Sequence, residues 1–452
     1  MNSPYVEQDS YFRIHTYEFQ FRMKEQTLST SRLHPVLAYS ILVLIFASTF
    51  RVFATLPLDT LHQSLSTFAI ISLTVYYILN LFIHFREHKI TRLDLLMWVF
   101  VLVNFFAAFQ GHKVFNQPYY YGIMAQRSVL LSLSGILLIS LLRNNWITIE
   151  QVERSFVALS LTLLIVFYFF FLFVNPQNFQ QMEFVAYSPI RGYRYRFQFA
   201  LVLMLLFYSL FKVSHEKKSA YMIIVILILF YLVYFLQSRT TLVVLAFTLL
   251  IYFFRNFSLK EKIKNTLLYG SVAFLTVLVL ISLGYTSLFD KYHVLYQNVF
   301  NVFMGESPDE ASSAVRFMEF NTALDYIARN PILGNGFISN QWNGGWQEIL
   351  GYFYPVDIGI LGNIFVFGFL GTALIYLPYY FSLSMSRAVQ SNNVFFKTTE
   401  YMLLFFFLSM FFSAVNIRDS SSIMFLVCLL YYFRYYYFHS GSNEPSGQIV
   451  ES

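Results

Sequence analysis

The chain has 452 residues, of which 57% are apolar, 20% aromatic and only 12% Asp, Glu, Lys or Arg. That charged share is about half of what a soluble globular domain carries, which excludes a cytosolic protein. The net charge of +6 does not point to nucleic acid, because Lys and Arg sit mostly in short clusters between apolar runs, where they report membrane orientation. The single cysteine, Cys428, lies inside such a run, so no intramolecular disulfide is available.

Apolar runs of about 17 to 25 residues are long enough to cross a bilayer. They begin near Val36, Leu65, Leu93, Gln126, Ser155, Phe197, Ser219, Thr240, Asn265, Val356, Glu400 and Ser421. The expected fold is an all-α polytopic membrane protein of about twelve transmembrane helices. Residues 1–34 form a polar N-terminal segment, so the first run reads as an uncleaved anchor. Residues 35–283 hold helices one to nine, 284–355 a long loop, 356–438 helices ten to twelve and 439–452 a polar tail. The run opening at Thr240 is short: about fifteen residues reach roughly 22 Å of a roughly 30 Å core, so it must start earlier or cross a thinned region.

With both termini in the cytoplasm, about nineteen of the 30 Lys and Arg fall on the inner side, as the positive-inside bias requires. This places the 284–355 loop outside. Within it, Phe317, Phe320, Leu324 and Ile327 recur on one helical face, Ser312 and Ser313 can cap the start, and Asn330-Pro331 stops it. The segment reads as an amphipathic helix on the outer interface. The turn Gly334-Asn335-Gly336 and an aromatic, glycine-bearing stretch, 342–354, follow.

Several outer arginines defy the orientation bias. Arg191, Arg194 and Arg196 fall within one string, Arg191-Gly192-Tyr193-Arg194-Tyr195-Arg196. A helix would bring Arg191 and Arg194 to one face, an extended segment Arg194 and Arg196. Either arrangement suits an anion with several oxygens, since guanidinium forks bind phosphate bidentately; lipid headgroups are the bland alternative. Arg239, in the short junction Gln237-Ser238-Arg239, is expected at or below headgroup level facing a polar cavity, with snorkelling as the alternative. Arg316 and Glu319, three apart, can form a local ion pair on the polar side of the loop helix, or Arg316 can meet phosphate. Asp357 opens the tenth span, where the helix dipole favours it and where it can also accept a hydroxyl proton. Arg418 and Asp419 can pair with each other, and His293 is a lone loop histidine. There is no Cys/His cluster of metal-site spacing, no Gly-rich nucleotide loop with a following Lys and no nucleophilic serine elbow.

Three strings resemble the O-antigen ligase and polymerase family. The first runs from Val315-Arg316-Phe317 through Ala323-Leu324 to Asn330-Pro331-Ile332-Leu333-Gly334-Asn335-Gly336. The second is Asp357-Ile358-Gly359 with Gly368-Phe369-Leu370-Gly371, and the third the Gln237-Ser238-Arg239-Thr240 junction. The resemblance implies a metal-independent GT-C-type glycosyltransferase of the bacterial inner membrane, without cofactor, using an undecaprenyl-diphosphate-linked oligosaccharide on the outer face. Its partners would be that substrate, membrane lipids and a chain-length regulator, with no nucleic acid. Ligases of the family carry a functional histidine late in the long loop. After Arg316 this loop has none, and Asp357 stands near that place, which favours a repeat-unit polymerase for O-antigen, capsule or exopolysaccharide over a ligase. In that reading Arg191, Arg194, Arg196, Arg239, Arg316 and Arg418 hold the diphosphates, and Asp357, Arg316 and Arg239 serve the transfer. The rivals are a lipid-linked oligosaccharide flippase or twelve-helix carrier and a non-catalytic assembly partner. A carrier is disfavoured because the dominant loop is external and the sixth and seventh spans are joined by a short segment.

Overall fold

The computed structural model describes residues 32–55, 59–86, 91–179, 184–188, 192–236, 238–256, 311–351, 353–387, 389 and 391–438. Its helices are α1 (Pro35–Thr49), α2 (Asp59–Arg86), α3 (Arg92–Phe115), α4 (Tyr119–Gln126), α5 (Ser134–Arg143), α6 (Ile149–Phe173) and α7 (Ala200–Glu216). They continue with α8 (Tyr221–Phe230), α9 (Arg239–Asn256), α10 (Ala311–Arg329), α11 (Trp346–Leu350), α12 (Gly359–Arg387), α13 (Val394–Ser409) and α14 (Val415–Tyr432). Eleven of the expected span starts fall on or beside these helices; the one at Asn265 lies outside the described residues. Among the described residues, five stretches are long and apolar enough to cross a membrane: Gln63–Ile83, Arg92–Phe115, Tyr119–Arg143, Ile149–Phe173 and Pro355–Arg387. The described chain is thus an α-helical membrane protein. At the short run opening at Thr240, α9 begins one residue earlier and has 18 residues, about 27 Å, still under the roughly 30 Å of a bilayer core.

Local chemistry sets the helix ends. Thr91 and Asp94 form a capping box at the start of α3, and Thr148 and Gln151 form another at α6. Pro35 opens α1, where its missing N–H costs nothing, and Asn393 caps α13 through its side-chain oxygen to the Phe396 N–H at 2.9 Å. Among the described residues the β-structure is one antiparallel hairpin, β1 (Val185–Ser188) with β2 (Gly192–Tyr195), in which Ala186 pairs with Arg194.

The core is built around α14, buried continuously from Asp419 to Leu430. Close approach needs small residues: a Cβ on Gly135 of α5 would sit 2.7 Å from Cys428. Ser421 and Ser422 donate to the Thr49 carbonyl at 2.9 and 3.1 Å, which joins α14 to the buried C-terminal end of α1. Helix α13 packs on α7, α9, α12 and α14. An ion pair from Arg255 to Glu400 at 2.5 Å, with Ser386 Oγ donating to the same carboxylate, ties α9, α13 and α12 at the end away from the 311–351 segment.

Helix α12 is broken at Gly368 (φ 67°, ψ 179°), about 13 Å along from its first residue. A break at membrane depth frees backbone groups that lipid cannot satisfy. The segment after α10 satisfies them. The Asn335 and Gly336 N–H groups donate to the Phe365 and Val366 carbonyls at 2.7 and 3.0 Å, and the Phe369 and Leu370 N–H groups donate to the Pro331 and Ile332 carbonyls at 2.8 and 3.2 Å. Asn335 Nδ2 adds a bond to the Phe365 carbonyl, and the Phe337 N–H donates to Ala107 of α3 at 2.9 Å. The loop is therefore wedged into the bundle by backbone pairing.

Candidate functional site

The wedge and an aromatic cluster hold the site. Trp346 is buried against Phe115, Phe337, Phe353 and Phe365, with Phe353 and Phe365 ring centroids 4.8 Å apart. This pins the stretch ahead of Tyr354 to α3 and α12. A 3₁₀ turn, Pro355–Ile358, then crosses the mouth of the bundle, with the Asp357 N–H bonded to the Tyr354 carbonyl at 3.0 Å. Gly362 permits this crossing, since a Cβ there would overlap the Pro355 carbonyl oxygen at 1.7 Å. Asp357 is exposed. It precedes α12 instead of forming its first turn, because Gly359 (φ 58°) turns the chain before the helix begins.

On α10, residues 316, 319, 323 and 327 fall within an arc of about 80°. Glu319, Ala323 and Ile327 on that arc are buried, and Arg316, one turn earlier, is exposed. Phe317, Phe320 and Leu324 on the other side are exposed. An apolar face turned outward suits a helix at a lipid interface. The polar-side ion pair expected between Arg316 and Glu319 is not formed. Glu319 faces inward, where its Oε1 accepts the Tyr354 N–H at 3.0 Å and its Oε2 has no hydrogen-bond partner. Burial first, then the negative charge of Asp357, push the Glu319 carboxyl up to about 7, against weaker pulls from the Tyr354 N–H and Arg316. Ser312 and Ser313 lie within α10, not ahead of it.

The turn between α13 and α14 closes the other flank. The Ala414 N–H and Ser413 Oγ both donate to the Val356 carbonyl, at 2.9 and 3.1 Å. Gly359 packs directly on the Phe411 carbonyl. The helix after this turn starts at Val415, so Arg418 closes its first turn and Asp419, at a kink (φ −112°), follows it. They form the local pair the sequence allowed, Arg418 Nε to Asp419 Oδ2 at 3.2 Å, while the Arg418 side chain stays 46% exposed. Arg51 reaches the Arg418 carbonyl at 3.4 Å from the end of α1.

The remaining arginines form a second group. The extended alternative holds for the arginine string: Arg194 lies in β2, and its Nη1 donates to the Leu236 carbonyl at 3.2 Å, three residues before Arg239 opens α9. Arg196 is exposed, and its N–H donates to the Phe184 carbonyl at 2.6 Å. Arg191 and His293 lie outside the described residues, and of Arg239 only the backbone is described. The structure thus links Glu319 of α10 to the 354–357 turn bearing Asp357, and that turn to Ser413 and Ala414 ahead of the helix bearing Arg418, with Arg316 one turn from Glu319; separately it ties Arg194 to the Leu236 carbonyl, three residues before Arg239. No contact between the two groups is seen among the described residues. Nor, among them, do three or more His, Cys, Asp or Glu side chains gather to hold a metal ion.

The functional residue that sequence reasoning misplaced is Glu319. Its signal is its spacing: Ala323 and Ile327 follow at i+4 and i+8, which aligns a carboxyl with a small and a branched apolar residue on one packed stripe.

Residues 223–376, about a third of the chain, match the family model described as O-antigen ligase, and over that stretch the chain is similar to that family. The match runs from α8 through the Arg239 junction, α10, the wedge and Asp357, and ends just beyond the break at Gly368. No curated protein matches the chain.

Proposed function

We propose, from the similarity of residues 223–376 to the O-antigen ligase family, that the chain is a polysaccharide repeat-unit polymerase of the bacterial inner membrane. It would move a glycan from undecaprenyl diphosphate onto a second lipid-linked repeat unit at the loop end of the bundle. What supports this reading is that the 354–357 turn bearing Asp357 is hydrogen-bonded on one side to Glu319, one turn from Arg316, and on the other to Ser413 and Ala414, just ahead of the helix bearing Arg418, beside the wedge into α12.

The acceptor hydroxyl attacks the anomeric carbon of the donor. Its proton passes to the Asp357 carboxylate as the new C–O bond forms, and the anomeric carbon–phosphate oxygen bond breaks with its electron pair leaving on the diphosphate. Arg316 and Arg418 bind that developing charge on one side, with Arg191, Arg194, Arg196 and Arg239 supplying the second cationic group for the other diphosphate. A diphosphate is already a competent leaving group, so positioning and cationic stabilisation supply most of the catalysis.

A ligase would run the same chemistry with lipid A core as acceptor. The absence of a histidine between Arg316 and Asp357 favours the polymerase. In cells lacking the native copy, Arg316→Ala and Asp357→Ala should abolish long polymer while leaving single repeat units. Unchanged polymer length in either variant would refute the assigned roles.

A further inference from the structure

Beneath the exposed Asp357 lies a carboxyl that the transfer as written does not use. Glu319 is 1% exposed, accepts the Tyr354 N–H through Oε1, and has no hydrogen-bond donor facing Oε2. An ionised carboxylate held that way pays the full desolvation penalty on an unpaired oxygen, whereas the neutral acid pays little of it. The Tyr354 N–H and carbonyl then act as one link: the first is held by Glu319, the second by the Asp357 N–H at 3.0 Å. Glu319 therefore sets the turn on which Asp357 is displayed. The charged groups that face it are Asp357 from the 3₁₀ turn and Arg316 from its own helix. Two neighbouring carboxyls resist double ionisation. With no donor at Oε2 and the negative charge of Asp357 facing it, the buried Glu319 carboxyl is held neutral.

We propose that Glu319, resting on the transfer reading above, is a positioning residue: as a neutral acid it fastens the 354–357 turn to α10 and leaves Asp357 as the single ionised carboxyl beside the diphosphate. Losing that proton places a second negative charge under an anionic substrate, beside Asp357. With the carboxyl pushed up to about 7, its neutral fraction falls about tenfold between about pH 6 and about pH 8.

The test is the rate of glycan extension by the full-length protein in detergent, on a defined polyprenyl-diphosphate-linked repeat unit, at both pH values. Glu319→Gln keeps a carbonyl oxygen for the Tyr354 N–H and cannot ionise; Glu319→Ala removes both. The wild-type rate should fall about tenfold with rising pH, the Gln variant should stay flat, and the Ala variant should be slower than the Gln variant throughout. A Gln variant that follows the wild-type decline, or an Ala variant equal to Gln, overturns the proposal. Infrared difference spectra of wild type against Glu319→Gln supply a second readout. A carboxylic-acid carbonyl band present at about pH 6 and lost at about pH 8 supports the neutral acid, and its absence at the lower pH overturns it. If the band titrates but no variant extends glycan, the transfer reading fails while the protonation of Glu319 stands.

Discussion

Replacing Gly334 with Ala should cost far more than replacing Gly351, although both have nearly the same φ (74° and 75°). At Gly351 (φ 75°, ψ −166°) a Cβ meets nothing within 4 Å, so the cost is the backbone strain alone, about 1–3 kcal/mol. At Gly334 the Cβ would lie 2.3 Å from the Gly368 nitrogen, 2.5 Å from the Val366 carbonyl oxygen and 2.7 Å from the Phe367 carbonyl carbon, all backbone atoms. The wedge must then retreat by about 1 Å or more to reach ordinary van der Waals separation, which breaks its pairing with residues 365–370. Leaving two of those buried groups unsatisfied adds about 2–6 kcal/mol. The total, on the order of 5 kcal/mol, is comparable to the whole stability of many domains. The chain reports its own unfolding: its one cysteine, Cys428, is fully buried, so a thiol-reactive fluorogenic dye follows melting in detergent. Gly351→Ala should melt a few degrees below wild type and Gly334→Ala far lower, or fail to accumulate. Equal melting of the two variants would refute the claim that backbone pairing seats the loop.

The other predictions concern charge and chemistry. The Glu319 carboxyl is raised in the folded protein, so its stabilising contribution is complete below about pH 4.5 and is lost as pH rises through about 7. Glu319→Gln should therefore narrow the gap in melting temperature between mildly acidic and neutral buffer, and an unchanged gap contradicts the assignment. Glu400→Ala strands the half-exposed Arg255 guanidinium and the Ser386 hydroxyl; discounted for solvent screening of Arg255, it should cost about 1–3 kcal/mol, read by the same dye. Asn335→Ala removes bonds to the Phe365 carbonyl and from Asn330 Nδ2 and should lower stability by about 1–3 kcal/mol. A loss indistinguishable from zero would mean the wedge does not depend on that side chain.

Helix positions were legible because apolar run length is a local property, but the caps that fix the starts were not read: Thr148 and Asn393 cap helices that begin six residues before the expected Ser155 and Glu400. The loop helix was legible for the same reason, from its period and from Asn330-Pro331. Which way it faced was not. Period identifies an apolar stripe but not whether protein or lipid covers it, and in a membrane protein Phe317 and Leu324 can be left outward while Glu319 turns in. The resemblance placed Gly334-Asn335-Gly336 and Gly368 in one family pattern, yet their mutual pairing is a contact across some thirty residues that no window on the sequence reads. Arg194 shows the same limit: its string allowed helix or strand, and the partner that decides its place, the Leu236 carbonyl, is 42 positions away.

The central claim is that the loop end of the bundle transfers glycan from a polyprenyl diphosphate. Purified full-length chain in detergent, given only defined lipid-linked repeat units, should release undecaprenyl diphosphate in step with the appearance of longer lipid-linked glycans, and Asp357→Asn should stop both. Glycans that stay one repeat long with no diphosphate released, or an Asp357→Asn variant as fast as wild type, would contradict it.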